Sequence, residues 1–235
     1  MLRISSGAIN PKDKKMKEVN FLEKYNSSTK RDYVARVVNH DKAECATIAK
    51  NWGVDYWDGD RAHGYGGYSY DGRWRPIAED IAKHYGLKAG DKVLDIGCGK
   101  GFLLYELTQV VPGIEVTGID ISEYAIEHAK EEIKDRLHVG SCVNLPWKDK
   151  TFDFVYSINT FHNLTIEELE KAVREMERVG KQAKWCCVES YRNEKEKANL
   201  LYWQLTCESF FRPSGWQSLF KQWGYQGDLG FIYFP

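Results

Sequence analysis

Three groups of residues in this chain have the types and spacing to do chemistry. The first is Val93-Leu94-Asp95-Ile96-Gly97-Cys98-Gly99-Lys100-Gly101, an apolar run that ends in an acid and then alternates glycine with other residues. A buried strand followed by a side-chain-poor turn reads this way, and glycines let the backbone approach a ligand closely. The same logic underlies the dinucleotide fingerprint G-x-G-x-x-G, but here the third glycine comes one residue early. That spacing counts against a nicotinamide or flavin dinucleotide and hence against an oxidoreductase. The second group centres on Asp120, which ends the run Glu115-Val116-Thr117-Gly118-Ile119-Asp120. A carboxylate at a strand end can accept hydrogen bonds from both hydroxyls of a ribose. The third group is His162, Glu189 and Tyr191, each after an apolar run. A histidine that titrates near pH 7 is a natural general base.

In order and spacing these segments resemble class I S-adenosylmethionine (SAM)-dependent methyltransferases of small-molecule type. The motif set is similar to that of the ubiquinone/menaquinone-type C-methyltransferases. The resemblance covers residues 76–190 and implies SAM as cofactor and S-adenosylhomocysteine as product. It assigns cofactor contacts to Asp95, Gly97, Cys98, Gly99, Gly101 and Asp120, with Ile121 against one adenine face. Ser141 and Cys142 fall in the third-strand loop at the adenine edge. Many members carry an acid where this chain has Ser141, so the Ser141 hydroxyl or the Cys142 backbone would take that contact. Ser157 ends the fourth strand on the cofactor side. His162 falls in the segment that faces the transferred methyl in many members and is the first candidate base, with Glu189 and Tyr191 next. Methyl transfer is an in-line displacement, so such an enzyme mainly aligns acceptor and methyl and excludes water.

Residues 52–74 read NWGVDYWDGDRAHGYGGYSYDGRW from Asn51 and hold seven aromatic residues among several glycines. Ahead of the first strand, this composition fits a lid over the substrate or an aromatic plug sealing the sheet end. Tyr65, Tyr68, Tyr70, Arg73 and His162 are the candidate substrate contacts. Tyr65 and Tyr68 could hold a cation by cation–π attraction, whereas Arg61, Arg73 and Arg75 could hold a phosphate or carboxylate. The two pictures require opposite substrate charges, and both stand.

The elements that must position these residues alternate. The pattern predicts a helix opened by Pro76 and ended by Gly86, then strand 92–96, helix 101–110, strand 115–120, helix 123–134 and strand 137–140. Strand 151–157, helix 165–179 and strand 184–190 follow. Thr165 and Glu168 form a capping box ahead of the stripe Ile166, Leu169, Val173 and Met176. Such alternation implies an α/β, Rossmann-like, doubly wound, mostly parallel sheet of seven strands with helices on both faces. The resemblance implies that the tail, with Phe231-Ile232-Tyr233-Phe234, supplies an antiparallel hairpin. Residues 1–75 form an N-terminal helical and aromatic extension, with 1–20 a mobile or lid-like arm; residues 76–235 form the SAM-binding domain.

The 235 residues carry a formal net charge of −1, which excludes a whole-molecule footprint for nucleic acid. Residues 1–50 hold 11 Lys and Arg against 6 Asp and Glu, so a mildly basic start precedes an acidic body. Six cysteines without a C-x-x-C pair suit buried thiols in a reducing compartment better than disulfides or a metal site. No run reaches the length of a membrane span, and the start lacks a signal-peptide core, so the expected location is cytoplasmic. The expected partner is a small-molecule substrate, possibly a sugar or other polar metabolite, with no nucleic acid, membrane or metal. Exposed aromatic surface could support a homodimer. A non-catalytic SAM-binding subunit and a protein methyltransferase are the alternatives.

Overall fold

The computed structural model describes residues 16–23 and 31–235. The body is a doubly wound α/β sheet. Its strands are β1 (Lys92–Ile96), β2 (Glu115–Asp120), β3 (Leu137–Val139), β4 (Phe152–Ile158), β5 (Gly180–Glu189) and β6 (Asp228–Ile232). They lie in the order β3-β2-β1-β4-β5-β6, and every pair is parallel. All five residues of β6 are buried, as are all of β1 after its first residue, as expected where helices cover both faces of a sheet.

The helices are α1 (Tyr33–Val38), α2 (Lys42–Ala49), α3 (Val54–Trp57), α4 (Arg75–Tyr85), α5 (Phe102–Val110), α6 (Glu123–Glu127), α7 (Ile166–Val179), α8 (Glu194–Trp203) and α9 (Pro213–Gln222). Two cores form, one on each face. Val93, Phe154, Tyr156 and Cys187 pack with Ile81 of α4 and Leu104 of α5. Leu94, Val155 and Cys186 pack with Val173 and Met176 of α7 and Phe220 of α9. Neighbouring residues therefore alternate between the cores, and Cys186 and Cys187 point to opposite faces. The capping box of Thr165 and Glu168 is formed, and Gly86 ends α4 in the left-handed region at φ 64°.

Two expectations are corrected. The tail forms no antiparallel hairpin: β5 and β6 are joined through α8 and α9, and a crossover of that kind returns a strand parallel. The seventh position is taken instead by the N-terminal stretch around Glu18, which bridges Leu229 in parallel. There the Val19 N–H donates to the Leu229 carbonyl at 2.8 Å, and the Leu229 N–H to the Lys17 carbonyl at 2.9 Å. This covers the edge of β6, an otherwise unpaired row of backbone groups. The helix expected over 123–134 is broken after Glu127 and resumes as a 3₁₀ helix over Glu131–Arg136. The break falls where the Lys130 N–H donates to the Lys100 carbonyl of the glycine turn at 3.0 Å. The expected arm over 1–20 lies outside the described residues for 1–15.

Candidate active site

The strand order reverses between β1 and β4, and the crevice beyond the carboxyl ends of the strands at such a point is where open α/β sheets bind ligands. Three connected cavities lie there. One, of about 340 Å³, is lined by Gly97, Asp120, Ile121, Ser141 and Cys142 together with Trp52 and Tyr56. A second, of about 270 Å³, is lined by His162 and Glu189 and by residues of the N-terminal region and α8. A lobe of about 100 Å³ reaches Asp95, Cys98 and Gly99. The first two share Tyr56, Tyr65, Asn159 and Thr206.

The glycine turn is fixed by its neighbours. Gly97 has φ 82°, and a Cβ there would lie 1.9 Å from Thr160 Oγ1. Both a left-handed backbone and a close approach therefore require glycine. The Gly97 and Cys98 N–H groups donate to the Ile119 carbonyl. The Gly99 N–H donates to Asp120 Oδ2 at 2.7 Å, and the Ser122 N–H to Asp120 Oδ1 at 2.9 Å. Burial raises the Asp120 pKa, and these N–H donors act against it. Each oxygen keeps acceptor capacity on the cavity side, as a ribose diol needs. Ile121 is 60% exposed beside it, an apolar face free to meet a flat ring.

Residues 52–68 close over this turn. The Trp57 Nε1–H donates to Ser122 Oγ at 2.9 Å, and its ring lies so near Gly99 that a Cβ there would be 2.8 Å away. Lys100 is only 5% exposed, and its Nζ donates to both oxygens of Asp58. Tyr65 stacks on Trp57 at an interplanar angle of 12°, and Tyr65 and Tyr68 wall the second cavity. The segment therefore both seals the sheet end and walls the cavities.

At the far side stand His162 and Glu189, both almost fully buried. The Glu189 backbone N–H donates to His162 Nδ1 at 3.3 Å, which puts the imidazole proton on Nε2. Nε2 lies 3.7 Å from Glu189 Oε2. Burial pushes His162 down to about 3 and Glu189 up to about 8. The pair is thus a neutral imidazole beside a carboxyl, not an ion pair. Gln204 donates to Glu189 Oε1, while Oε2 has no hydrogen-bond partner among the described residues.

Four candidates fall elsewhere. Tyr191 lines none of the three cavities and packs between Lys197 and Arg212. Tyr70 donates to Glu106 Oε1 of α5 at 2.5 Å, and the hydrogen bond pushes its hydroxyl up to about 12. Ser157 is fully buried and donates to the Ile96 carbonyl at 2.8 Å, tying β4 to β1. A Cβ at Gly101 would collide with Ile133 and Leu137, so packing requires that glycine. Arg73 lines the second cavity and pairs with Asp71, whereas Arg75 pairs with Glu106.

Sequence reasoning did not single out Asn159 among the site residues, yet it lines all three cavities. It has φ 57°, and its Oδ1 is buried without a partner among the described residues. Asparagine tolerates that conformation better than most residues, and its place after β4 was the available signal. Arg31, Arg36 and Trp203 were also missed, because they reach the second cavity from distant parts of the chain.

An α/β sheet with a glycine turn, a strand-end carboxylate and a second cavity beside them has the arrangement of a nucleoside-cofactor site with room for a second reactant. Residues 87–224 match the family described as methyltransferase domain, which is more than half of the chain. The chain belongs to that family, and SAM is its expected cofactor. It is 31% identical over 148 residues to demethylmenaquinone methyltransferase of Staphylococcus haemolyticus, covering 61% of this chain and 59% of the relative. It is 30% identical over 124 residues to 27-O-demethylrifamycin SV methyltransferase of Amycolatopsis mediterranei, covering 48% and 43%. With sterol 24-C-methyltransferase of Gibberella zeae it shares 35% over 108 residues, covering 43% and 28%. The chain thus spans less than two thirds of these curated relatives' own lengths. Among solved structures, a Haloferax volcanii methyltransferase in complex with the Trm112 methyltransferase activator aligns with TM-score 0.52 and 22% identity, covering 66% of this chain and 77% of that one. YcgJ of Bacillus aligns with TM-score 0.51 and 24% identity, covering 62% and 66%. Both share the fold. Among the described residues no helix is long and apolar enough to cross a membrane.

Proposed function

We propose that this protein transfers a methyl group from SAM to a small-molecule acceptor held in the second cavity. The observation that carries this reading is the shared wall. Asp120 stands in one cavity and Glu189 in the other, and Asn159, Tyr56, Tyr65 and Thr206 line both. The site suits the cofactor because the Asp120 carboxylate, the exposed Ile121 and the side-chain-free Gly97 lie together in one cleft. Asp120 would hold the ribose hydroxyls, Ile121 the adenine face, and Ser141 or Cys142 the adenine edge. When bound, SAM supplies an electrophilic methyl for in-line displacement.

The residues of this chain do the rest. Glu189 is the group suited to take a proton from the acceptor atom. A carboxyl with a pKa of about 8 is partly ionised near neutral pH and holds a proton well once it has one. His162, the first candidate from sequence, has its only unprotonated nitrogen occupied by the Glu189 N–H. Its role is to fix the Glu189 backbone, and we assign it as a positioning residue. Tyr56, Trp57 and Tyr65 exclude water. A cavity of about 270 Å³ suits a small molecule as acceptor.

Calorimetric titration of the full chain with SAM, S-adenosylhomocysteine and NAD tests the reading, with Asp120→Asn alongside. Binding of the first two but not NAD is expected, weakened about tenfold or more in the variant, since a hydrogen bond to a charged group contributes about 1.5–3 kcal/mol. In a turnover assay the rate should rise with pH through about 8 and lose that limb in Glu189→Gln. A folded protein that binds neither SAM nor its product would overturn the proposal.

A further inference from the structure

The second cavity holds a charge arrangement that the transfer reaction does not require. Arg31 precedes α1, Arg36 lies within it, and Arg61 comes from the segment over the glycine turn. All three converge on Trp203, the last residue of α8. Their guanidinium carbons lie 5.6, 5.1 and 5.1 Å from the centroid of that one ring. Arg31 is also 5.0 Å from the Phe234 ring. One cation on an aromatic face is favourable; three around one ring repel each other. Burial, then the neighbouring Arg61, lowers the Arg36 pKa, a sign of that repulsion.

For Arg31 and Arg36 little compensating charge is at hand: Asp60, outside the cavity lining, acts on Arg36 less than burial and Arg61 do. Among the described residues neither Arg31 nor Arg36 forms an ion pair, and the Nε of each is buried without a hydrogen-bond partner. The Arg36 Nη1 donates to the Arg61 carbonyl, which fixes its place without neutralising it. Glu189 is the one acidic side chain lining the cavity among the described residues, and burial leaves it partly protonated near neutral pH. A cationic acceptor held on Tyr65 and Tyr68 would face this cluster and be repelled.

We propose that the methyl acceptor carries a phosphoryl group, seated on the guanidinium groups of Arg31, Arg36 and Arg61, with its reacting atom toward Glu189 and Asn159. This rests on the transfer reading for the same cavity. A dianion matches three converging cations better than a monoanionic carboxylate does. Guanidinium groups present their N–H donors in a fork that fits phosphoryl oxygens. The ring of Trp203 orders the guanidinium planes before the ligand arrives, which lowers the cost of assembling the site.

The test uses the full chain and does not depend on SAM. Inorganic phosphate, phenyl phosphate and benzoate are titrated calorimetrically into the wild type and into Arg31→Gln, Arg36→Gln and Arg61→Gln. S-Adenosylhomocysteine affinity and the melting temperature report on folding. Phosphate and phenyl phosphate should bind, and benzoate more weakly. Each arginine substitution should weaken the phosphates about tenfold or more, with product-cofactor affinity unchanged. Arg36→Lys should recover part of the loss, because the charge returns without the fork. Phosphate binding that is absent from the wild type, or unchanged in all three folded variants, overturns the proposal, as does tighter binding of benzoate. If phosphate binds through these arginines and S-adenosylhomocysteine does not bind, the transfer reading fails and the anion site stands.

Discussion

Lys100 Nζ lies 2.6 Å from Asp58 Oδ2, which ties the glycine turn to the aromatic segment over it. Lys100 is nearly buried, and Asp58 retains about a quarter of its side-chain exposure. Burial would raise the Asp58 pKa, but hydrogen bonds from Lys100, the Tyr68 N–H and Tyr124 outweigh it and hold the carboxyl below its usual range. Asp58→Asn removes the charge and leaves a buried ammonium with neutral acceptors only, the introduced amide oxygen and the Tyr68 carbonyl. Breaking such a pair from one side should cost about 2–3 kcal/mol, because Asp58 is partly solvated. Chemical denaturation should show that loss, and SAM affinity should fall as the cover over the turn loosens. An unchanged midpoint would show that the pair contributes nothing net.

Gly99 and Trp57 make a second, separable contact. Gly99 has φ 53°, and a Cβ there would approach the Trp57 ring to 2.8 Å. Gly99→Ala therefore meets two penalties: a left-handed backbone, about 1–2 kcal/mol, and a collision with an indole held by hydrogen bonds to Ser122 and to the Trp52 carbonyl. A double-mutant cycle with Trp57→Leu separates them. The alanine should destabilise less in the leucine background, because the collision is gone and only the backbone cost remains. Equal costs in both backgrounds would mean that the ring moves aside freely.

The parts of this molecule legible in the sequence are those whose signal is local. The turn at Gly97–Gly101, the strand ending in Asp120 and the capping box at Thr165 each fit within a few residues, and each forms where the pattern places it. What was not legible depends on distant segments meeting. The cover of the β6 edge by Glu18 joins residues more than 200 positions apart, and a single bridged residue carries no strand pattern. Arg31 and Arg36 carry no site pattern of their own, and Arg61, a candidate phosphate or carboxylate contact by its type, meets them only through Trp203. Tyr70 and Tyr191 have suitable types beside plausible loops, but partners in the fold turn both away: Glu106 holds one, and Lys197 with Arg212 the other. His162 sits where the pattern puts it, but its tautomer depends on a backbone N–H in β5 that no spacing reveals.

Glu189 also predicts a pH dependence of stability that is independent of turnover. Its carboxyl stands at about 8 in the folded chain against an ordinary value of 4.5, because burial disfavours the charge. A folded-state pKa above the unfolded one gives a stabilising contribution that is complete below about 4.5 and is lost as the pH rises through about 8. His162 runs the other way. Burial takes it from 6.5 to about 3, so its contribution is present above 6.5 and is lost as the pH falls toward 3. Above pH 6.5 the histidine adds no slope, and the interval from 6.5 to 8 isolates the carboxyl. Denaturation midpoints of wild type and Glu189→Gln across that interval should diverge. The wild type should lose up to about 1.4 kcal/mol per pH unit relative to the variant, the value of one proton. Parallel curves would place the Glu189 pKa near that of a solvated carboxyl, and would remove it as the group that takes the proton from the acceptor.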